Sequence, residues 1–323
     1  MIEFNFMKKL LISLVFAVFI GLALIFTFLN SQGSNGSTYS PLPNFLTLFK
    51  NGQVSTLNIW MPDINSRAIG TIKTPEVSAR ASLIYDLTTN KVMFAKNAKE
   101  KLPMASLTKI MTSIIALENK KKDDKYFVTS EDLVGEDSMG LAAGEILSLK
   151  ELLYGLMLHS GNDAAETLAN NFSGGRNKFI EAMNNKVKAL GLSDTNFTNP
   201  TGLEEDGKQY TTSYDLLVIT RYAVLNFSLL DEVVSTFNYN IPQTKIHKAY
   251  FLENETNLLT SYPGVKGVKT GYTPEAGLCL VTYLDYGGHK IIGILLGSDN
   301  RRDEMKELLD YSLRSLGVKP PAR

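Results

Sequence analysis

Cysteine is almost absent: Cys279 stands alone in 323 residues, so no disulfide can form within the chain and no paired-thiol metal or redox site exists. Its neighbours Leu278 and Leu280 make it a small buried residue rather than a reactive thiol. With no cysteine near the N-terminus, a lipoprotein is excluded as well. Histidine is scarce. His159, His247 and His289 are scattered, and no His-Glu-x-x-His pattern is present, which speaks against a zinc-peptidase helix. No metal and no cofactor are expected. Net charge is also missing, because 33 Lys and Arg balance 33 Asp and Glu, so nothing argues for nucleic acid as a partner. Finally, Lys and Arg are absent between Lys9 and Lys50, a gap that holds a long uncharged apolar run.

That run, residues 10–29, would be about 30 Å long as a helix, enough to cross a bilayer. Lys8 and Lys9 precede it, so the positive-inside rule places residues 1–9 in the cytoplasm and the rest of the chain outside. The run is longer than a usual signal-peptide core and ends Thr27-Phe-Leu-Asn30 without an Ala-x-Ala site. A retained single-pass anchor is therefore favoured; its rival is a cleaved signal sequence and a secreted product. Residues 30–40 are rich in Ser, Gly and Asn and form a tether. Residues 30–75 together make a linker or juxtamembrane segment. Phe45, Leu46, Leu48, Phe49, Ile59 and Trp60 give it enough apolar surface to pack either on the following domain or on the membrane.

Three short peptides in one order carry the chemistry: Ser106-Leu-Thr-Lys109, Ser160-Gly-Asn162 and Lys269-Thr-Gly271. A lone Ser-x-x-Lys occurs in many helices and a lone Lys-Thr-Gly is usually a turn. As an ordered set they supply a nucleophile with a Lys one helical turn on, a second hydroxyl beside an amide, and a cation beside a hydroxyl. That set suits acyl transfer through a serine ester. Pro103 upstream and Ile110, Met111, Ile114, Ile115 and Leu117 downstream predict a buried helix with Ser106 in its first turn, where the helix dipole favours a developing oxyanion. Lys109 serves as a base only when neutral; burial and a second cation, Lys269, would lower its pKa.

Ser148-Leu-Lys-Glu151 reads as a capping box opening an apolar helix over 149–158, which Gly161 breaks. Asp163-Ala-Ala-Glu166 reads as the capped start of the next helix, so that Ser160 and Asn162 face a cleft from a short connection. Ser160 could relay a proton and Asn162 could pair with a substrate amide. Residues 265–270, 278–284 and 291–296 predict antiparallel strands, the last two joined by the turn at Asp285-Tyr-Gly-Gly288. Lys269 and Thr270 on an edge strand could hold an extended peptide and face a carboxylate. Met305, Leu308, Leu309, Leu313 and Leu316 form a C-terminal helical stripe, stopped by Gly317 and Pro320-Pro321.

From about Val77 to Leu316 the chain resembles the serine D-Ala-D-Ala carboxypeptidases, the low-molecular-mass penicillin-binding proteins. The likeness covers the hairpin over 79–95, Pro103-Met-Ala-Ser-Leu-Thr-Lys109, Leu158-His-Ser-Gly-Asn-Asp-Ala-Ala165, Asn199-Pro-Thr-Gly-Leu203 and Gly267-Val-Lys-Thr-Gly-Tyr-Thr273. It implies an α+β penicillin-recognising peptidase fold, an antiparallel sheet flanked by helices plus a mainly helical part, over residues 76–319 with a tail at 320–323. It also implies Ser106 as nucleophile, Lys109 as base, Ser160 as proton shuttle, and Asn162, Lys269, Thr270 and Gly271 as substrate contacts. The amides of Ser106 and Tyr272 would form the oxyanion hole, and Arg301, or adjacent Arg302, would bind a carboxylate. The implied substrates are peptidoglycan stem peptides, with β-lactams as covalent inhibitors, and the implied location is the outer side of a bacterial cell membrane. D,D-endopeptidase action on crosslinks, or slow turnover in a β-lactam-sensing or wall-binding protein, are the alternatives. Glu166 superficially resembles the deacylating Glu segment of class A β-lactamases but follows Ser160 too closely, and reads as a helix-start residue; Glu204 and Glu205 read as solvated. With few residues after the C-terminal stripe, neither the added β-rich domain nor the C-terminal amphipathic helix of many relatives is expected here.

Overall fold

The computed structural model describes residues 60–64, 72–204, 207–256 and 258–322. The apolar run at 10–29, the tether and Glu205 lie outside the described residues. The chain opens with a hairpin of β1 (Ala81–Asp86) and β2 (Lys91–Lys96), followed by helix α1 (Thr108–Glu118) and two short strands, β3 (Tyr126–Phe127) and β4 (Ile146–Leu147). Helices α2 (Leu149–Leu158), α3 (Asn162–Asn170), α4 (Gly175–Ala189), α5 (Ser213–Asn226) and α6 (Ser228–Val234) then precede the ribbon of β5 (Asn238–Ile241) and β6 (Tyr250–Glu253). A helical turn, α7 (Leu258–Ser261), leads to β7 (Val265–Thr273), β8 (Gly277–Tyr286) and β9 (His289–Ser298), and α8 (Arg301–Ser315) closes the domain.

Five strands form one antiparallel sheet in the order β2-β1-β9-β8-β7, which places β7 at an edge as its sequence predicts. The last three strands run longer than their apolar cores suggest. β8 and β9 meet in a two-residue turn whose Gly287 and Gly288 have φ of 60° and 83°, the left-handed pair that a tight hairpin needs. Both faces of the sheet are covered, so the inner strands β8 and β9 carry nearly continuous apolar runs. Leu83, Tyr85, Cys279, Val281, Ile292 and Ile294 join the core shared with α1 to α6. Ile84, Leu280, Leu284, Ile291 and Leu295 pack on Met305, Leu308, Leu309 and Leu313 of α8. Burying this much apolar surface supplies the main drive for folding.

Helix α1 runs through the middle of the core, with every residue from Thr108 to Ala116 buried. The described part of the upstream segment packs on the domain. Trp60 meets Tyr85 edge-on at 5.5 Å, lies 4.3 Å below the Arg221 guanidinium, and is followed by Ile64 against the same core.

Candidate active site

Ser106 lies in a single 3₁₀ turn, Ala105–Leu107, that runs straight into α1. Ala105 just before it takes a left-handed φ of 47°, an uncommon conformation for a residue with a Cβ, and the surrounding packing holds it there. Lys109, fully buried, projects from the first turn of α1. Its Nζ lies 3.0 Å from Ser106 Oγ, 2.7 Å from Asn162 Oδ1 and 2.7 Å from the Thr201 carbonyl oxygen. A neutral amine has two N–H groups and one lone pair. The two carbonyl-type oxygens can take the N–H groups, leaving the lone pair for the Ser106 hydroxyl. Burial drives the Lys109 pKa well below its ordinary value, and nearby Lys269 pushes it the same way.

Helix α2 opens on the capping box expected at Ser148 and Glu151 and delivers the second motif. Ser160, 2 % exposed, has a left-handed φ of 55° in the turn between α2 and α3. Asn162 is the first residue of α3, and its N–H donates to the Asp137 carbonyl at 2.7 Å. The expected cap at Asp163 is not what forms. Gly161 occupies the cap position, and Asp163 sits inside the helix with its carboxylate turned to the 138–141 loop, whose free N–H groups are better partners than the local backbone. Glu166 is likewise no helix-start residue: it is buried mid-helix in a two-point ion pair with Arg176 at 2.7 and 3.0 Å. Glu204 is half-buried and accepts from the Gly207 N–H.

The third motif lies on β7 and runs past Ser106. Gly271 explains the closeness, since a Cβ there would come within 3.0 Å of the Ser106 nitrogen and 3.2 Å of the Ala105 Cβ. Lys269, 1 % exposed, donates to the Thr270 carbonyl at 3.1 Å. Burial lowers its pKa to about 8; Arg301 acts in the same direction, while Glu255 and Asp137 oppose. Thr270 is buried beside it, and the Tyr272 side chain is largely exposed. Arg301 is the first residue of α8. Its Nη1 donates to the Gly271 carbonyl at 2.7 Å and the Cys279 carbonyl at 3.3 Å, whereas Arg302 is exposed. The Arg301 register is therefore the one turned to β7. Cys279 is buried on the neighbouring strand β8, opposite Gly271, with its thiol pushed up to about 11 by burial.

The Thr201 carbonyl is a partner of Lys109 that the sequence does not announce. A backbone oxygen has no side-chain signature, though its neighbours do: Asn199 Oδ1 accepts from the Thr201 and Gly202 N–H groups at 3.2 and 2.8 Å. Gln209 braces the same loop through the Thr198 and Asn199 N–H groups. Gly202, at φ 94°, presses so near Ser106 that a Cβ would fall 2.0 Å from the Ala105 carbonyl oxygen.

A site in which a buried neutral-leaning Lys meets a Ser hydroxyl and an amide, with a second Ser in the adjoining turn, one cation on the edge strand and another at the start of α8, can perform serine acyl transfer. A family description reading D-alanyl-D-alanine carboxypeptidase matches residues 69–300. The chain belongs to that family. Among curated relatives, D-alanyl-D-alanine carboxypeptidase DacF of Bacillus subtilis is 34 % identical over 251 residues, covering 75 % of this chain and 64 % of the relative. DacB2 of Mycobacterium tuberculosis is 30 % identical over 71 % of this chain and 78 % of its own. The crystal structure of a Streptomyces DD-transpeptidase matches with a TM-score of 0.71 at 31 % identity, covering 75 % of this chain and 100 % of that one. The chain thus spans somewhat less than two thirds of the DacF relative's length.

Proposed function

We propose that the protein is a serine D-Ala-D-Ala carboxypeptidase, which removes the terminal D-Ala of peptidoglycan stem peptides through an ester on Ser106. The observation that supports this most is the buried Lys109 nitrogen, 3.0 Å from Ser106 Oγ with two carbonyl-type oxygens occupying its N–H groups. Neutral Lys109 takes the hydroxyl proton as Ser106 Oγ attacks the penultimate D-Ala carbonyl. The N–H groups of Ser106 and Tyr272 hold the oxyanion. Ser160 passes a proton to the departing D-Ala amine, Asn162 pairs with a substrate amide, and Gly271 keeps the strand close to the nucleophile. Lys269, Thr270 and Arg301 surround the terminal carboxylate; a guanidinium has five N–H donors, so bonds from Nη1 to the strand leave capacity for it. Water then cleaves the ester. A β-lactam, with a strained amide at the same place, would acylate Ser106 as a covalent inhibitor.

Likeness to a DD-transpeptidase supports a second fate for the same ester, transfer to an amine acceptor. D,D-endopeptidase action differs only in which peptide enters the cleft. The discriminating experiment incubates the protein with a D-Ala-D-Ala peptide, a crosslinked dimer and, separately, the peptide plus an amine acceptor. Free D-Ala with a shortened peptide supports carboxypeptidase action, a resolved dimer supports endopeptidase action, and an amine-coupled product supports transfer. No release from any substrate refutes the reading. Residues 10–29 are proposed as a membrane anchor that leaves the catalytic domain outside the cytoplasm, supported by Lys8 and Lys9 before the run.

A further inference from the structure

Asp163 is a buried carboxylate that the proposed reaction does not use. It is 1 % exposed and has no basic side chain paired with it by a hydrogen bond or ion contact among the described residues; backbone and hydroxyl donors satisfy it instead. Oδ2 accepts from Ser138 Oγ at 2.6 Å, the Gly140 N–H at 3.0 Å and the Leu141 N–H at 2.9 Å. Oδ1 accepts from the Met139 N–H at 3.0 Å and the Ala164 N–H at 2.9 Å. The stitching also runs the other way, because the Asp137 carbonyl of the same loop accepts the Asn162 N–H at 2.7 Å. Gly161 permits the approach: a Cβ there would lie 2.8 Å from Asp163 Oδ1 and 3.2 Å from the Met139 nitrogen. Between these two sets of bonds sits the turn with Ser160 in its left-handed conformation and Asn162 Oδ1 on Lys109.

We propose that Asp163 is a positioning residue, whose carboxylate binds the 138–141 loop and thereby fixes the turn carrying Ser160 and Asn162 against Lys109. An amide cannot replace it. Asparagine offers one acceptor oxygen and sets an NH₂ group against N–H groups that need an acceptor, so the loop loses its seat and the turn its brace. Asp163 also adds negative charge behind Lys109. The charged groups around that amine are Lys269, Asp137, Glu255 and Asp163, the first working with burial to lower its pKa and the three carboxylates opposing. Arg301 faces Lys269 from α8.

The inference rests on the acyl-enzyme reading, and its test separates the two. The second-order rate of acylation by labelled penicillin is measured against pH for the wild type, Asp163→Asn and Ser138→Ala. Asp163→Asn should acylate at least about tenfold more slowly on the plateau, since small misplacements of reacting groups are costly. Its acid limb should move to lower pH, because Lys109 loses a carboxylate that favours its protonated form. Ser138→Ala keeps that charge and loses one donor, so a smaller loss with an unmoved acid limb is expected. In the wild type, the Met139, Gly140 and Leu141 amides should exchange slowly with solvent although they belong to a surface loop. An Asp163→Asn variant with wild-type rate and acid limb, or fast exchange at those three amides, overturns the positioning role. If Asp163→Asn fails to fold, the Ser138→Ala profile and the exchange data decide. A wild type that takes no label removes the reaction Asp163 would serve, an outcome distinct from labelled wild type with an unaffected variant.

Discussion

Lys109 and Lys269 are two buried amines of one site to which the proposed reaction gives opposite protonation states, the first neutral to act as a base and the second charged to hold a carboxylate. Burial lowers both, and their mutual repulsion lowers Lys109 further. The kcat/KM profile should accordingly rise with pH as Lys109 loses its proton and fall again as Lys269 loses its own, with the alkaline limb near about 8. In Lys269→Arg, whose guanidinium stays charged, the alkaline limb should move to higher pH even if the plateau is lower; an unmoved limb would assign it to another group. Lys109→Ala should lose most acylation, and a normal rate of β-lactam labelling in that variant would remove Lys109 from the mechanism. Arg301→Ala should reduce kcat/KM for a free-carboxylate peptide by roughly ten- to a hundredfold, the usual worth of a charge-assisted contact. An amidated analogue should be affected much less. Equal losses on both substrates would instead point to the bonds from Arg301 to the Gly271 and Cys279 carbonyls as a structural support.

Three elements converge on Ser106, and two do so through glycines: the edge of β7 at Gly271 and the loop at Gly202. The Gly202 contact is the less forgiving, combining a left-handed φ with a Cβ position 2.0 Å from a backbone oxygen. Gly202→Ala should cost on the order of 3 kcal/mol from overpacking and backbone strain together, read as a lower melting temperature, and should impair acylation. Gly271→Ala meets only 3.0 to 3.4 Å contacts, so it should leave stability nearer the wild type while slowing acylation. Wild-type acylation in both variants would show that the close approach is not required. These elements also show where sequence is informative. The Ser148 capping box, the apolar helix after Pro103 and the edge strand bearing Lys269 were legible because local spacing dictates each of them. The roles of Asp163 and Glu166 were not legible, because their partners at 138–141 and Arg176 are brought to them only by the fold. The Thr201 carbonyl was hidden for another reason: its identity is independent of the side chain that carries it.

At the scale of the whole molecule, the five-stranded sheet and the helices bring together motifs separated by more than half of the described chain, and Trp60 fastens part of the preceding segment to the same core. If residues 10–29 are retained as an anchor, the protein should start near Met1 and remain with membranes in high salt. A soluble form beginning between residues 30 and 40 would establish cleavage instead. Acylation should survive either outcome, since the proposed reacting groups all lie beyond residue 100. The account stands most directly on the ester at Ser106, and mass mapping of the protein after brief exposure to penicillin tests it. One adduct per chain on Ser106, absent from Ser106→Ala, is the result expected; no adduct in the wild type, or an undiminished one in Ser106→Ala, would contradict it.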